Sequence, residues 1–202
     1  MAYEDFDHSL CMDRKLIRVE GRDFEISTSI TLQHTKWFGT LFSNKFKEGN
    51  QDGPVELKTE GLGIDAEGFL SFLRCIYDSE YRIDGNNYMK ILQVAHFVDA
   101  ARIIKNVESF IIANCSHAHW QATENNKDHP FSVDLLAAIE LSFAYDLKKL
   151  QSHCEKQLLR MRFHTFLKNY NACTDLDEKA QAYIFGVYAK SIMTAQAKKN
   201  QP

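Results

Sequence analysis

Long apolar runs are missing from this 202-residue chain: nothing in it approaches the ~18 consecutive apolar residues of a membrane-spanning helix. The first ten residues, MAYEDFDHSL, are acidic where a secretion signal would be basic and then apolar. No Lys/Arg-rich block occurs and the net charge is -3, so there is no electrostatic footprint for nucleic acid or an anionic membrane. Neither is expected as a partner. The cysteines, Cys11, Cys75, Cys115, Cys154 and Cys173, are odd in number and form no C-x-x-C pair. That pattern points to free thiols in a reducing compartment, the cytoplasm or nucleus. No G-x-S-x-G elbow and no H-E-x-x-H motif is present, so the expectation is a non-enzymatic protein.

Glycine nearly vanishes after residue 90, where Gly186 stands alone against eight earlier ones. Turns, and with them strands, should therefore cluster in the first half. Charge divides similarly: residues 1–115 carry 13 Lys/Arg against 18 Asp/Glu, and residues 116–202 carry 11 against 9. The stretch SHAHWQATENNKDHP, residues 116–130, is polar, lacks a helical period and ends in a proline that resists helix continuation, so it reads as a linker.

Within the first half, Lys15 to Val19 and Phe24 to Ser27 flank Glu20-Gly21-Arg22-Asp23 and predict a hairpin. Val55 to Lys58 is a further strand candidate. Trp37, Phe38, Leu41 and Phe42 share one helical face. Asp65 can cap a helix striped by Phe69, Phe72, Leu73, Ile76 and Tyr77. Two more helical stripes follow, Ile91-Leu92-Ala95 and Ile103-Ile104-Val107-Phe110-Ile111. A shift of 47 residues lays Val98-Asp99 on Tyr145-Asp146, Ile103 on Leu150 and Val107-Glu108 on Cys154-Glu155. A helix, an Asp-containing turn and a second helix thus occur twice, predicting stacked helical hairpins. Further helices are expected over Phe163 to Tyr170 and Asp177 to Met193, ahead of a frayed tail.

Two motifs suggest chemistry and are set aside. Gly61-x-Gly63-x-x-Ala66 has the form of a dinucleotide fingerprint, but the strand before it alternates apolar and polar, and Asp65 would repel a pyrophosphate at the helix start. Cys115-x-His117-x-His119 lacks the spacing and the fourth ligand of a structural zinc site. No metal and no cofactor is expected. Phe46-Lys47-Glu48 ends beside the polar loop Gly49 to Pro54; taken alone, Phe46 reads as folding back on its core and Glu48 as solvated.

Together, Val19 to Phe24, Trp37-Phe38, Leu41-Phe42, Phe46-Lys47-Glu48, Val55 to Leu57, Phe69, Phe72-Leu73, Ile76-Tyr77 and the helical pair from Leu92 to Cys115 resemble a BTB/POZ domain. Residues 131 to 160 are similar, more loosely, to the helical hairpins of a BACK-type extension. The resemblance implies an α+β fold, a small mixed sheet flanked by helices, followed by an all-helical BACK-like extension. The expected division is an N-terminal segment 1–14, a BTB/POZ-like domain 15–115, the linker 116–130, the extension 131–196 and a disordered tail 197–202.

The resemblance also implies a protein-interaction module, a substrate adaptor of a cullin-3 ubiquitin ligase. In such adaptors a motif of an apolar residue, any residue and Glu follows the helix corresponding to Lys36 to Asn44, and Phe46-Lys47-Glu48 matches it. Tyr77 is a second cullin-contact candidate, and it reads equally as the edge of the core. The alternative is a homo-oligomerisation scaffold or transcription-related interaction protein that binds no cullin. Phe6, Leu10 and Met12 are candidates for a homodimer interface. The family's His-Arg pair falls here on Ser27-Thr28, and its strand-opening Asp falls on Arg14, with Asp13 one position off. The target protein is not named by the sequence.

Overall fold

The computed structural model describes residues 13–42, 53–115, 133–161 and 176–199. Internal packing divides the chain into two units, residues 1–107 and 108–202.

The first unit is built on a hairpin. Strands β1 (Arg14–Val19) and β2 (Arg22–Ser27) pair antiparallel, with Val19 opposite Arg22 and Arg14 opposite Ser27. The turn is therefore only Glu20-Gly21, with φ of 49° and 76°. Two successive positive φ values match the right-handed twist of the flanking strands, and glycine takes the second without steric cost. Strand β3 (Val55–Glu56) adds parallel to β1, giving the order β2-β1-β3. Alternation places Ile17, Val19, Phe24, Ile26 and Val55 in the core.

Ser27 ends β2 and starts a helix that the sequence reading missed. Its hydroxyl accepts from the Ile30 amide and caps α1 (Thr28–Leu32). Helix α2 spans Trp37–Leu41, shorter than the Lys36 to Asn44 expected; the Phe42 amide still donates to the Phe38 carbonyl, and residues 43–52 lie outside the described set. The predicted capping by Asp65 is present: its carboxylate accepts from the Gly68 amide at 2.6 Å and starts α3 (Ala66–Tyr77). An aromatic column then joins sheet to helices, from Phe24 to Phe69 (5.1 Å), Phe69 to Phe72 (6.3 Å) and Phe72 to Phe38 of α2 (6.5 Å). Helix α4 (Tyr88–Phe97) packs against α3, and its Phe97 meets Trp37 at 5.3 Å.

The 47-residue repeat is visible in the backbone. After α4, Asp99 takes φ 51° and the Ala100 amide reaches back to the Ala95 carbonyl; after α6 (Leu135–Ala144), Asp146 takes φ 52° and the Leu147 amide reaches back to Ser142. Both are left-handed helix stops of the same construction. Each opens a further helix, α5 (Ala101–Asn114) and α7 (Lys148–Arg160).

The second unit holds the end of α5, then α6, α7 and α8 (Glu178–Lys199). Leu135, Ile139, Leu150, Cys154, Leu158 and Ile184 form its core. Helix α8 is held by the Tyr183 hydroxyl donating to the Gln151 carbonyl and the Tyr188 hydroxyl donating to Leu158, both at 3.0 Å. It runs to Lys199, into the segment expected to fray, through Ala, Gln and Lys, which are good helix formers. The helix expected over Phe163 to Tyr170 and the linker 116–130 lie outside the described residues. The architecture is α+β, a three-stranded sheet with helices followed by a helical region. Among the described residues no helix is long and apolar enough to cross a membrane.

Candidate partner-docking site

The surface of interest lies where β2, α1, α2 and the end of α3 meet. Its anchor is Asp13, just ahead of β1. One carboxylate oxygen accepts from the Ser27 hydroxyl at 3.0 Å, and the other accepts from the Thr28 hydroxyl at 2.8 Å and from the Ser29 amide. Its backbone carbonyl accepts from the Thr28 amide at 3.1 Å. The acidic residue at the strand start is thus Asp13, bonded to the Ser-Thr-Ser run, while Arg14 pairs with Glu25 at 3.3 Å. The family's strand-opening Asp slot falls on Arg14, the first residue of β1, and Asp13 stands directly before it.

Partial burial pushes the Asp13 carboxyl up, but the bonds from Thr28, Ser29 and Ser27 outweigh it and hold the group at about 2, below its ordinary 3.8. A carboxyl lowered in the folded state stabilises the fold fully above its unfolded value, and that contribution is lost as pH falls toward the folded one. Asp13→Asn is therefore expected to lower stability at neutral pH by about 1 kcal/mol or less, since solvent screens the site. It should also flatten the fall in stability between pH 4 and 2, as chemical denaturation across that range will show.

Tyr77, at the end of α3, is half-buried, and its hydroxyl accepts from the Ser27 amide at 2.9 Å. It therefore ties α3 to the junction of β2 and α1. Helix α2 is fixed at its start by the Thr35 hydroxyl, which donates to the Val98 carbonyl and accepts from the Trp37 amide at 3.1 Å. Leu32 of α1 is 46% exposed and lies over Gly39 of α2, where a Cβ would meet its methyl at 2.3 Å. Phe46 and Glu48, the other two cullin-contact candidates, and Phe6, Leu10 and Met12, the dimer candidates, lie outside the described residues.

The glycine motif set aside has a structural explanation. Gly61 and Gly63 adopt φ of 76° and 67° in a turn. At the following helix start Asp65 already accepts from Gly68 and from the Lys90 ammonium at 2.7 Å, where a pyrophosphate would have to sit. The concavity beside it, about 720 Å³, is lined by Glu20, Glu56, Glu60 and Asp65 with Lys58 as its single cation, which disfavours phosphate. Cys115 is buried, its carbonyl bonded to His153 Nε2 at 2.9 Å; His117 and His119 lie outside the described residues. Among the described residues no three His, Cys, Asp or Glu side chains converge as metal ligands. A hydrogen bond with Cys115, then burial, holds the Cys154 thiol well above the ordinary thiol range, and burial pushes Cys75 up to about 11. Both are protonated at neutral pH and poor nucleophiles.

Comparison with known proteins bears on this site. The model of the BTB/POZ domain family matches residues 6–115, just over half of the chain. Human Kelch-like protein 15 is 26% identical over 108 residues, covering 54% of this chain and 17% of that protein. The chicken Kelch-like protein 15 is equally similar, with 21% of its length covered. BTB and MATH domain-containing protein 15 of Caenorhabditis elegans is 32% identical over 108 residues, covering 53% of this chain and 37% of that protein. The matched segment is thus well under half the length of each of these relatives.

Proposed function

This chain belongs to the BTB/POZ family, whose domains are generally non-enzymatic protein-interaction modules, and on that premise we propose that it is an adaptor that docks cullin-3. The observation that carries this reading is Phe46-Lys47-Glu48, an apolar residue and a carboxylate at the adaptor spacing, following α2 inside the matched span. Phe46 would fill a pocket on the cullin and Glu48 would accept a charge-assisted hydrogen bond. Tyr77, at the end of α3, would add a second contact. The likeness to Kelch-like proteins supports a protein-interaction role, with which an adaptor is compatible.

The adaptor's effect would be proximity: a target held beside a ubiquitin-conjugating enzyme meets it at a raised effective concentration. Phe6, Leu10 and Met12 would form a homodimer interface, and the protein would work in the cytoplasm or nucleus. Phe46→Ala is expected to weaken binding of a cullin-3 N-terminal domain by about 2 kcal/mol while circular dichroism stays native. Equal binding by the mutant would show that Phe46 is no anchor. Light scattering distinguishes the rival scaffold role, for which a stable homo-oligomer that ignores the cullin is the signature.

A further inference from the structure

We propose that the groove between the end of α5 and the outer face of α7 binds an acidic segment of a partner protein. The groove is a concavity of about 440 Å³ within the helical unit, lined by Ile112 of α5 and by Lys148, Lys149, Ser152, His153 and Lys156 of α7. Helix α7 buries Leu150, Cys154 and Leu158 on its inner side. Lys149, Ser152 and Lys156 follow one another at spacings of three and four along its exposed side, so their polar ends share one face.

Three ammonium groups line the groove and no carboxylate does. Lys148 is ion-paired with Asp146 at the exposed helix start; among the described residues Lys149 and Lys156 have no such partner. The helix terminus itself is not the attraction, because Glu108 already accepts from the amides of Lys149 and Leu150. Bonding to the Cys115 carbonyl fixes the His153 ring in the wall, and half-buried Ile112 supplies an apolar spot among the cations.

Charge complementarity selects the occupant. A duplex or a membrane surface calls for a broad basic face, whereas this chain carries a net charge of -3 and the groove is one small concavity lined by three of its 24 lysines and arginines. A short segment with two or three Asp or Glu side chains around an apolar residue fits the lysines, the Ser152 hydroxyl and Ile112 together. This inference goes beyond cullin docking, and its test contains no cullin, so the two fail separately.

The test is fluorescence anisotropy of the full chain with a labelled glutamate-rich peptide of about ten residues carrying one central leucine. Saturable binding that weakens with added salt is expected, and Lys149→Glu/Lys156→Glu should reduce the affinity by about tenfold or more. Lys149→Ala/Lys156→Ala, with native circular dichroism, should reduce it in the same direction and guards against misfolding of the reversed variant. The proposal is overturned if the wild type does not bind, if the alanine variant binds equally well, or if a peptide with glutamine in place of glutamate binds as tightly. It is equally overturned if phosphatidylserine vesicles or a DNA duplex displace the peptide at lower concentration than unlabelled peptide does, which would assign the lysines to a membrane or nucleic acid.

Discussion

Phe72→Ala is expected to destabilise the first unit by about 3–5 kcal/mol, the cost of a large cavity whose walls relax only in part. Phe72 is fully buried and stands between Phe69 and Phe38, so it is the link through which α3 carries both the sheet and α2. Removing it deprives Phe38 and Phe69 of a ring neighbour each, at the point where no other described aromatic joins α2 to α3. Phe72→Leu, which restores much of the volume, should recover most of the loss. Chemical denaturation followed by tryptophan fluorescence reads the effect, because Trp37 lies beside Phe38 at 5.1 Å. A loss under about 1 kcal/mol would mean that this column is not the core of the unit.

Glu108→Ala should have the next largest effect, about 2–4 kcal/mol on the second unit. Helix α7 begins at Lys148 with Leu147 as its cap residue, and Leu147 offers no side-chain acceptor. Glu108, from α5, supplies one: the same carboxylate oxygen accepts from the Lys149 amide at 2.8 Å and the Leu150 amide at 3.0 Å. The carboxylate is buried and sits at the positive end of the helix dipole, so its loss strands two amides and removes a favourable charge. Hydrogen exchange at Lys149 and Leu150 gives the local reading. Protection there should fall in the alanine variant and be largely kept in Glu108→Gln, which retains an acceptor oxygen. Unchanged protection in Glu108→Ala would show that the cap is dispensable.

What was legible in the sequence was what local chemistry dictates. Gly21 marked the hairpin, Asp65 marked the start of α3, and the Asp99 and Asp146 repeat marked two helix stops that share φ, hydrogen bonds and position. These signals lie within a few residues of what they control. Helix α1 was missed because Thr28 to Leu32 is too short for an apolar period to show, and only the Ser27 cap betrays it. The Asp13 knot and the Glu108 cap were missed for another reason: each joins residues brought together by tertiary packing, fourteen or more positions apart. Of the docking candidates, Tyr77 was recognisable as the end of the α3 stripe, but its bond to Ser27 depends on the sheet and could not be read from spacing.

The adaptor account is tested most directly by calorimetric titration of a cullin-3 N-terminal domain with the full chain, beside the Phe46→Ala/Glu48→Ala variant. The account predicts saturable binding by the wild type and its loss in the double variant, with both proteins giving the same circular dichroism. A wild type that binds no cullin, or a double variant that binds as the wild type does, would contradict it.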